Sequence, residues 1–230
     1  MTKKKILITF GTRPELIKLL SIILELKKLK KYNIYICNTA QHVELLNPLI
    51  NFHKLKVNFN LNILKPKQSL SVTTSKILDR FEKVVKKLNP DCIIVQGDTS
   101  TAFTCSLVAF YNKIRVYHIE AGLRTHNIFS PWPEELNRKF ISEIADYNFA
   151  PTIIAKKNLI SEGIKKSKIL CTGNTVIDLL FITLNKINNT KKIKEKFEKK
   201  FKYLDDNSFK ILVSIHRRES FGEGLKNIFL

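Results

Sequence analysis

A regular alternation of two apolar periodicities constrains this chain more than any other feature. Short strand-like runs fall at Lys5–Phe10, Asn33–Cys37, Asp91–Val95, Ile114–Ile119, Tyr147–Ala150 and Lys168–Cys171. Between them, apolar residues recur at helical spacing over Leu16–Leu29, Ser69–Leu88, Thr99–Tyr111, Glu134–Ile144, Ile153–Ile164 and Asn174–Ile187. The punctuation agrees. Gly11 ends the first run, and Pro14 opens a helix where its missing N–H costs nothing. Asn89-Pro90 closes another helix. Strands that alternate with helices predict an α/β fold, a Rossmann-like parallel sheet covered on both faces.

The pattern changes after residue 187. Residues 188–208 form a lysine-rich connection with room for a solvated helix. Phe209–Ile215 then reads as a new strand, followed by a glycine-containing turn and a helix beginning near Gly224. The expected organisation is therefore residues 1–187 as one Rossmann-like domain, 188–208 as a connection, and 209–230 as the start of a C-terminal nucleotide-binding domain cut short. One strand and part of a helix cannot bury a core.

Composition narrows the function classes. The formal charge of +20 invites a nucleic-acid reading. Yet only seven of the 40 basic residues are arginine, the side chain with a planar fork for phosphate, and five of those seven lie in the motifs below. The lysines are scattered over solvated faces, which predicts salt-sensitive, non-specific binding and no specific nucleic-acid partner. No stretch reaches the roughly 18 apolar residues of a membrane span. The apolar run Ile6–Phe10 is too short for a signal peptide, so a cytoplasmic protein is expected, with no membrane insertion. Cys37, Cys92, Cys105 and Cys171 are far apart without a CxxC pair. They read as buried reduced thiols, with no metal site.

Four segments carry chemistry, each just past a predicted strand, where open α/β sheets bind ligands. In Phe10-Gly11-Thr12-Arg13-Pro14-Glu15-Leu16-Ile17-Lys18, a glycine turn and a helix start can face an anion. Arg13 is placed to reach a diphosphate, with Lys18 one turn on; the plainer alternative is an ordinary strand-to-helix turn. In Gln96-Gly97-Asp98-Thr99, Asp98 is either a helix cap or a carboxylate in the cleft, or both. In the third segment Glu120 follows a strand, and Glu134 follows the stiff Pro131-Trp132-Pro133. Two carboxylates at one cleft can divide acid and base roles. Pairing of Glu120 with Arg124, and of Glu134 with Arg138 four residues on, is the competing explanation. Trp132 reads as a packing anchor, and His118 as either a packed strand residue or one that supports the site from behind. In the fourth, His216-Arg217-Arg218 joins a proton carrier to two cations after a strand.

Taken in order, these segments resemble the non-hydrolysing UDP-N-acetylglucosamine 2-epimerase family. Thr39-Ala40-Gln41-His42 and Thr172-Gly173-Asn174-Thr175-Val176-Ile177-Asp178 add to the resemblance, which runs from Lys5 to the end. It implies the first half of a two-domain glycosyltransferase-B architecture. It also implies interconversion of UDP-GlcNAc and UDP-ManNAc without a cofactor, by elimination of UDP to 2-acetamidoglucal and re-addition. By resemblance Asp98, Glu120, Glu134 and His216 are catalytic. Arg13, Lys18, Arg138 and Arg217 bind substrate, and Gln41 and His42 match an allosteric motif, although Glu44 and Lys67 replace residues seen in some relatives. The complete enzyme is expected to be a homodimer, and residues 1–230 alone are expected to be inactive or nearly so, since the family's glycine-rich uridine segment is absent. The alternatives are a non-catalytic half that needs a complementing C-terminal polypeptide, and another glycosyltransferase-B enzyme that transfers a sugar.

Overall fold

The computed structural model describes residues 2–40, 43–63, 68–213 and 226. Seven strands form one parallel sheet: β1 (Lys5–Phe10), β2 (Asn33–Asn38), β3 (Phe59–Asn60), β4 (Cys92–Gln96), β5 (Arg115–Ile119), β6 (Tyr147–Ala150) and β7 (Ile169–Cys171). The helices are α1 (Arg13–Lys28), α2 (Val43–Phe52), α3 (Leu70–Leu88), α4 (Ser100–Tyr111), α5 (Glu134–Ile144), α6 (Ile153–Ser161), α7 (Thr175–Asn188) and α8 (Lys191–Lys200). The sheet order is β3-β2-β1-β4-β5-β6-β7. The chain winds outward from β1 in one direction, then returns to its other edge. That reversal opens a crevice between the carboxyl ends of β1 and β4.

Each face of the sheet has its own core. Leu7, Ile93, Val95 and Val116 point to the side covered by α3, α4 and α5, where they meet Ile77, Phe81, Cys105 and Ile141. Their strand neighbours Ile6, Ile8, Ile94 and Ile119 point the other way, toward Leu16, Leu19, Leu20 and Ile23 of α1 and Leu179 of α7. Strands buried on both faces read as continuous apolar runs, which is why they stood out in the sequence. Under α6, Ala121, Ala150 and Leu159 make a third, smaller cluster. Gly122 is required there: at φ +86, a Cβ would lie 2.3 Å from the Ala155 carbonyl oxygen.

The predicted helices and strands of residues 1–187 are all present, with ends moved by a few residues. Ser69 and Thr99 turn out to be caps, accepting hydrogen bonds from Val72 and Ala102. Two elements had no sequence expectation, α2 and the two-residue β3. Two side-chain readings are corrected. Trp132 is 62 % exposed and anchors no core. Cys171 is exposed at the end of β7, whereas Cys37, Cys92 and Cys105 are buried. Burial holds the Cys37 thiol up at about 12 and the Cys92 thiol at about 11, so both stay protonated.

The chain divides into two compact units, Met1–Thr183 and Leu184–Leu230, with the break inside α7. In the second, α8 buries no residue and carries a lysine-rich surface; its Phe197 ring stacks on that of Phe201. The predicted strand at Phe209–Ile215 does not form over its described part. Residues 209–213 have no regular structure, with Phe209 90 % and Leu212 96 % exposed. A strand needs a neighbour for its N–H and C=O groups, and no described residue pairs with this one.

Candidate active site

Three strands deliver their last residues to the crevice. After β1, Gly11 and Thr12 turn the chain into α1, whose third helical residue is Glu15. That carboxylate is buried (1 % exposed) and reaches back to the turn, accepting from Gly11 N at 3.0 Å and from Thr12 N at 2.8 Å. It also accepts from the hydroxyls of Thr12 and Thr99, each at 2.8 Å. Burial pushes the Glu15 carboxyl up; the hydrogen bonds from Thr99, Gly11 and Thr12 pull the other way. Arg13 is exposed beside it and makes no ion pair with a described residue. One turn later Lys18 points across the crevice.

After β4, Gly97 takes φ +71, a backbone conformation glycine adopts freely, and hands the chain to Asp98 and Thr99. Asp98 is held from above by α5. Its carbonyl accepts from Asn137 Nδ2 at 2.8 Å, and Oδ2 accepts from Arg138 Nε at 2.7 Å and Nη2 at 2.5 Å. Arg138 Nη1 also donates to Glu135 Oε2 at 3.0 Å. Glu135 is itself buried, and its Oε1 accepts from the backbone N–H groups of Thr125 and His126, each at 3.1 Å. Burial alone would raise the Glu135 carboxyl. The two backbone donors and Arg138 outweigh it, and the group lies below the usual carboxylate range.

After β5, Glu120 sits at φ +63, unusual for a residue with a side chain and of a kind that collects at functional sites. Its Oε2 pairs with Lys18 Nζ at 2.5 Å and accepts from Gln96 Nε2. Two residues earlier, within β5, His118 is fully buried with Nε2 2.7 Å from the Gly97 carbonyl oxygen. Burial lowers the imidazole to about 4, so it stays neutral and serves as packing, as expected.

A cleft of about 500 Å³ results, lined by Arg13, Lys18, Gln96, Asp98, Glu120 and Arg138 among others. It brings together five of the sequence candidates: Arg13, Lys18, Asp98, Glu120 and Arg138. Glu134 is not on its lining; it begins α5 with Oε2 buried and without a hydrogen-bond partner among the described residues. His216, Arg217, Gln41 and His42 lie outside the described residues. The expected ion pairs are corrected. Glu120 pairs with Lys18, not Arg124, and Arg124 instead forks onto Glu162, the residue that caps α6, at 2.7 and 2.9 Å. Arg138 pairs with Asp98 and Glu135, not Glu134. Sequence reasoning gave no role to Glu15, Gln96 or Glu135. A signal for the first was present: Thr12-x-x-Glu15 is a capping-box spacing.

Partly exposed carboxylates beside fixed cations, in a cleft at a sheet reversal, can move protons and hold an anionic substrate. Comparison with known proteins gives this geometry a family. The family model described as UDP-N-acetylglucosamine 2-epimerase matches residues 24–230. The chain belongs to the UDP-N-acetylglucosamine 2-epimerase family. It is 49 % identical over 226 residues to the UDP-N-acetylglucosamine 2-epimerase of Neisseria meningitidis serogroup A, covering 98 % of this chain and 60 % of that one. The Bacillus subtilis epimerase is 44 % identical, with 100 % and 58 % covered. The chain thus spans about 60 % of the length of the curated relatives it matches. Among solved structures, the Neisseria meningitidis epimerase bound to UDP-GlcNAc superposes with a TM-score of 0.83 and 48 % identity, over 89 % of this chain and 56 % of that one. A Methanocaldococcus jannaschii UDP-GlcNAc 2-epimerase in complex with UDP-GlcNAc and UDP gives 0.77 and 39 %, over 85 % and 53 %. The sheet is therefore the first Rossmann-like half of the glycosyltransferase-B architecture of these epimerases. No helix among the described residues is long and apolar enough to cross a membrane.

Proposed function

We propose that this chain supplies the proton-transfer half of a non-hydrolysing UDP-N-acetylglucosamine 2-epimerase, converting UDP-GlcNAc to UDP-ManNAc. The observation that carries the proposal is the pairing of Asp98 with Arg138 and of Glu120 with Lys18 across one cleft. Epimerisation at C2 requires removal of a carbon-bound proton and its return on the opposite face. It also requires a stabilised diphosphate while the anomeric C–O bond is broken. Asp98 and Glu120 are the proton carriers, with Glu134 as the third candidate carboxylate. Their paired cations, Arg138 and Lys18, hold the two carboxylates in place at the cleft. Loss of UDP leaves 2-acetamidoglucal in the cleft. Arg13 and Lys18 offer positive charge to the departing diphosphate, and by the sequence resemblance alone His216 and Arg217 are further candidates for that role. Arg138 orients Asp98. No step in this sequence calls for a cofactor.

The chain spans about 60 % of the length of its relatives, and by the sequence resemblance the uridine portion of the substrate belongs to a glycine-rich segment that these 230 residues lack. Residues 1–230 by themselves are therefore expected to turn over slowly or not at all. A homodimer, or a complementing polypeptide, completes the proposal, and light scattering of the purified chain tests that part. The reaction is tested by incubating UDP-GlcNAc in D2O with the polypeptide extended to the length of its relatives. Deuterium at C2 of both sugars supports the reading. Release of free UDP onto an acceptor without exchange at C2 would replace it with sugar transfer.

A further inference from the structure

Glu15 is a buried ionisable group at the crevice that the proposed reaction leaves unused. Its carboxylate is 1 % exposed, and every described hydrogen bond to it comes from a donor: Gly11 N, Thr12 N, and the hydroxyls of Thr12 and Thr99. Two of these, the N–H groups of Gly11 and Thr12, can only donate, so Oε2 must accept from them. The two backbone donors matter most. They stand at the N-terminus of α1, where a strand–turn–helix unit ordinarily presents its N–H groups to a bound phosphate. Here a side chain of the same helix already occupies them.

The second hydroxyl extends the arrangement across the crevice. Thr99 Oγ1 accepts the Ala102 N–H at 3.0 Å as the cap of α4, and gives its own hydrogen to Glu15 Oε1 at 2.8 Å. The N-termini of α1 and α4 are thereby joined through one carboxylate. Arg13 follows Thr12 directly, and Asp98 precedes Thr99 directly.

We propose that Glu15 is a built-in anion that fills the phosphate-type N–H pair of the first turn and fixes Arg13 and Asp98 relative to each other. The turn is then no diphosphate cradle. Substrate phosphate is left to the side chains of Arg13 and Lys18, and Glu15 acts as a positioning residue. The part that concerns turnover rests on the epimerase reading; the part that concerns the turn does not.

The test follows backbone amide signals of Gly11 and Thr12 by NMR in the 230-residue chain, titrated with inorganic pyrophosphate. In the native chain both signals should stay in place while side-chain signals of Arg13 move. In Glu15→Ala, the emptied pair should respond to pyrophosphate, and excess formate should return both amides toward their native positions. Glu15→Gln, which keeps the shape, covers the case in which the alanine variant does not fold: it should leave the two amides displaced from their native positions, with no return in formate. In the extended polypeptide, Glu15→Gln should lower kcat about 10- to 100-fold with KM changed less than about threefold, the signature of misplaced rather than missing contacts. Native Gly11 and Thr12 signals that move with pyrophosphate, or an unchanged kcat in Glu15→Gln, overturn the proposal. Absence of turnover in the native extended polypeptide would count against the epimerase reading alone, because the amide signals still decide what fills the turn.

Discussion

Two sets of carboxylates occupy the same end of the sheet and live under different rules. Glu15 and Glu135 form the floor. They are fully buried and hold backbone turns together, each with two N–H donors and further side-chain donors. Asp98 and Glu120 form the rim. They are partly open to solvent, with 24 % and 11 % of their side chains exposed, and each faces a single cation. A floor carboxylate has its lone pairs spent on structure and none left for substrate. A rim carboxylate keeps an open side. On the proposed reaction, residual access rather than burial marks the reactive acid.

Substitutions can break that comparison. The largest effect should come from the rim. Glu120→Gln and Asp98→Asn should each cut turnover of the extended polypeptide by about 10²- to 10⁴-fold, the range for loss of a general acid–base group. Their urea midpoints should stay close to native. A variant that unfolds instead would move its residue to the floor. Next comes Glu135→Ala, which leaves Arg138 short of a partner and two part-buried N–H groups without their acceptor. It should cost about 3 kcal/mol of unfolding free energy, as for a broken buried ion pair. A chemical-denaturation curve that does not shift would show that the 125–126 turn stands without it.

Acid should act next, through His118. The imidazole titrates at about 4 in the folded protein and near 6.5 when unfolded. Below 6.5 the unfolded chain binds a proton that the folded chain refuses. The stabilising contribution is therefore complete above pH 6.5 and is lost as pH falls toward 4, by about 2 to 3 kcal/mol at pH 4.5. Glu15, whose carboxyl is raised by burial, works in the opposite sense, recovering stability as it takes a proton. Equilibrium melts at pH 7.5 and 4.5 measure the balance. In His118→Gln most of the loss should disappear; equal losses in both proteins would remove His118 from the account. The smallest effect is expected at the exposed pair Lys83–Asp79 of α3, where Asp79→Ala should cost no more than about 0.5 kcal/mol.

The sheet was legible because strands buried on both faces are continuous apolar runs bounded by Gly, Pro and Asn. The edge strand β3 was not, since two residues make no pattern. Over its described part, residues 209–213, the expected strand misled for a related reason. Apolar alternation proposes a strand, but only a neighbouring strand makes one. In the site, sequence order placed Asp98 and Glu120 at strand ends, and both line the cleft. It could not choose partners. Spacing favoured Glu134 with Arg138, whereas the first turn of α5 aims Glu135 inward and Glu134 elsewhere. Lys18 and Glu120 are 102 positions apart, and no local rule links them. Glu15 was passed over because a helix-start glutamate is usually a solvated cap. Only the fold shows that this one is buried at the crevice and bonded to Thr99, the cap of a second helix.

The order of the strands has a consequence during synthesis. β1 leaves the ribosome first and finds β2 soon after, yet its other edge, Ile6–Ile8, must wait for Cys92–Ile94. Over that interval an apolar strand stands half-paired at what will become the centre of the sheet. Parallel pairing across so long a span is slow, and an open apolar edge invites the wrong neighbour. The same reversal that creates the crevice thus exposes the nascent chain to aggregation, and translation speed through residues 11–92 becomes a determinant of yield.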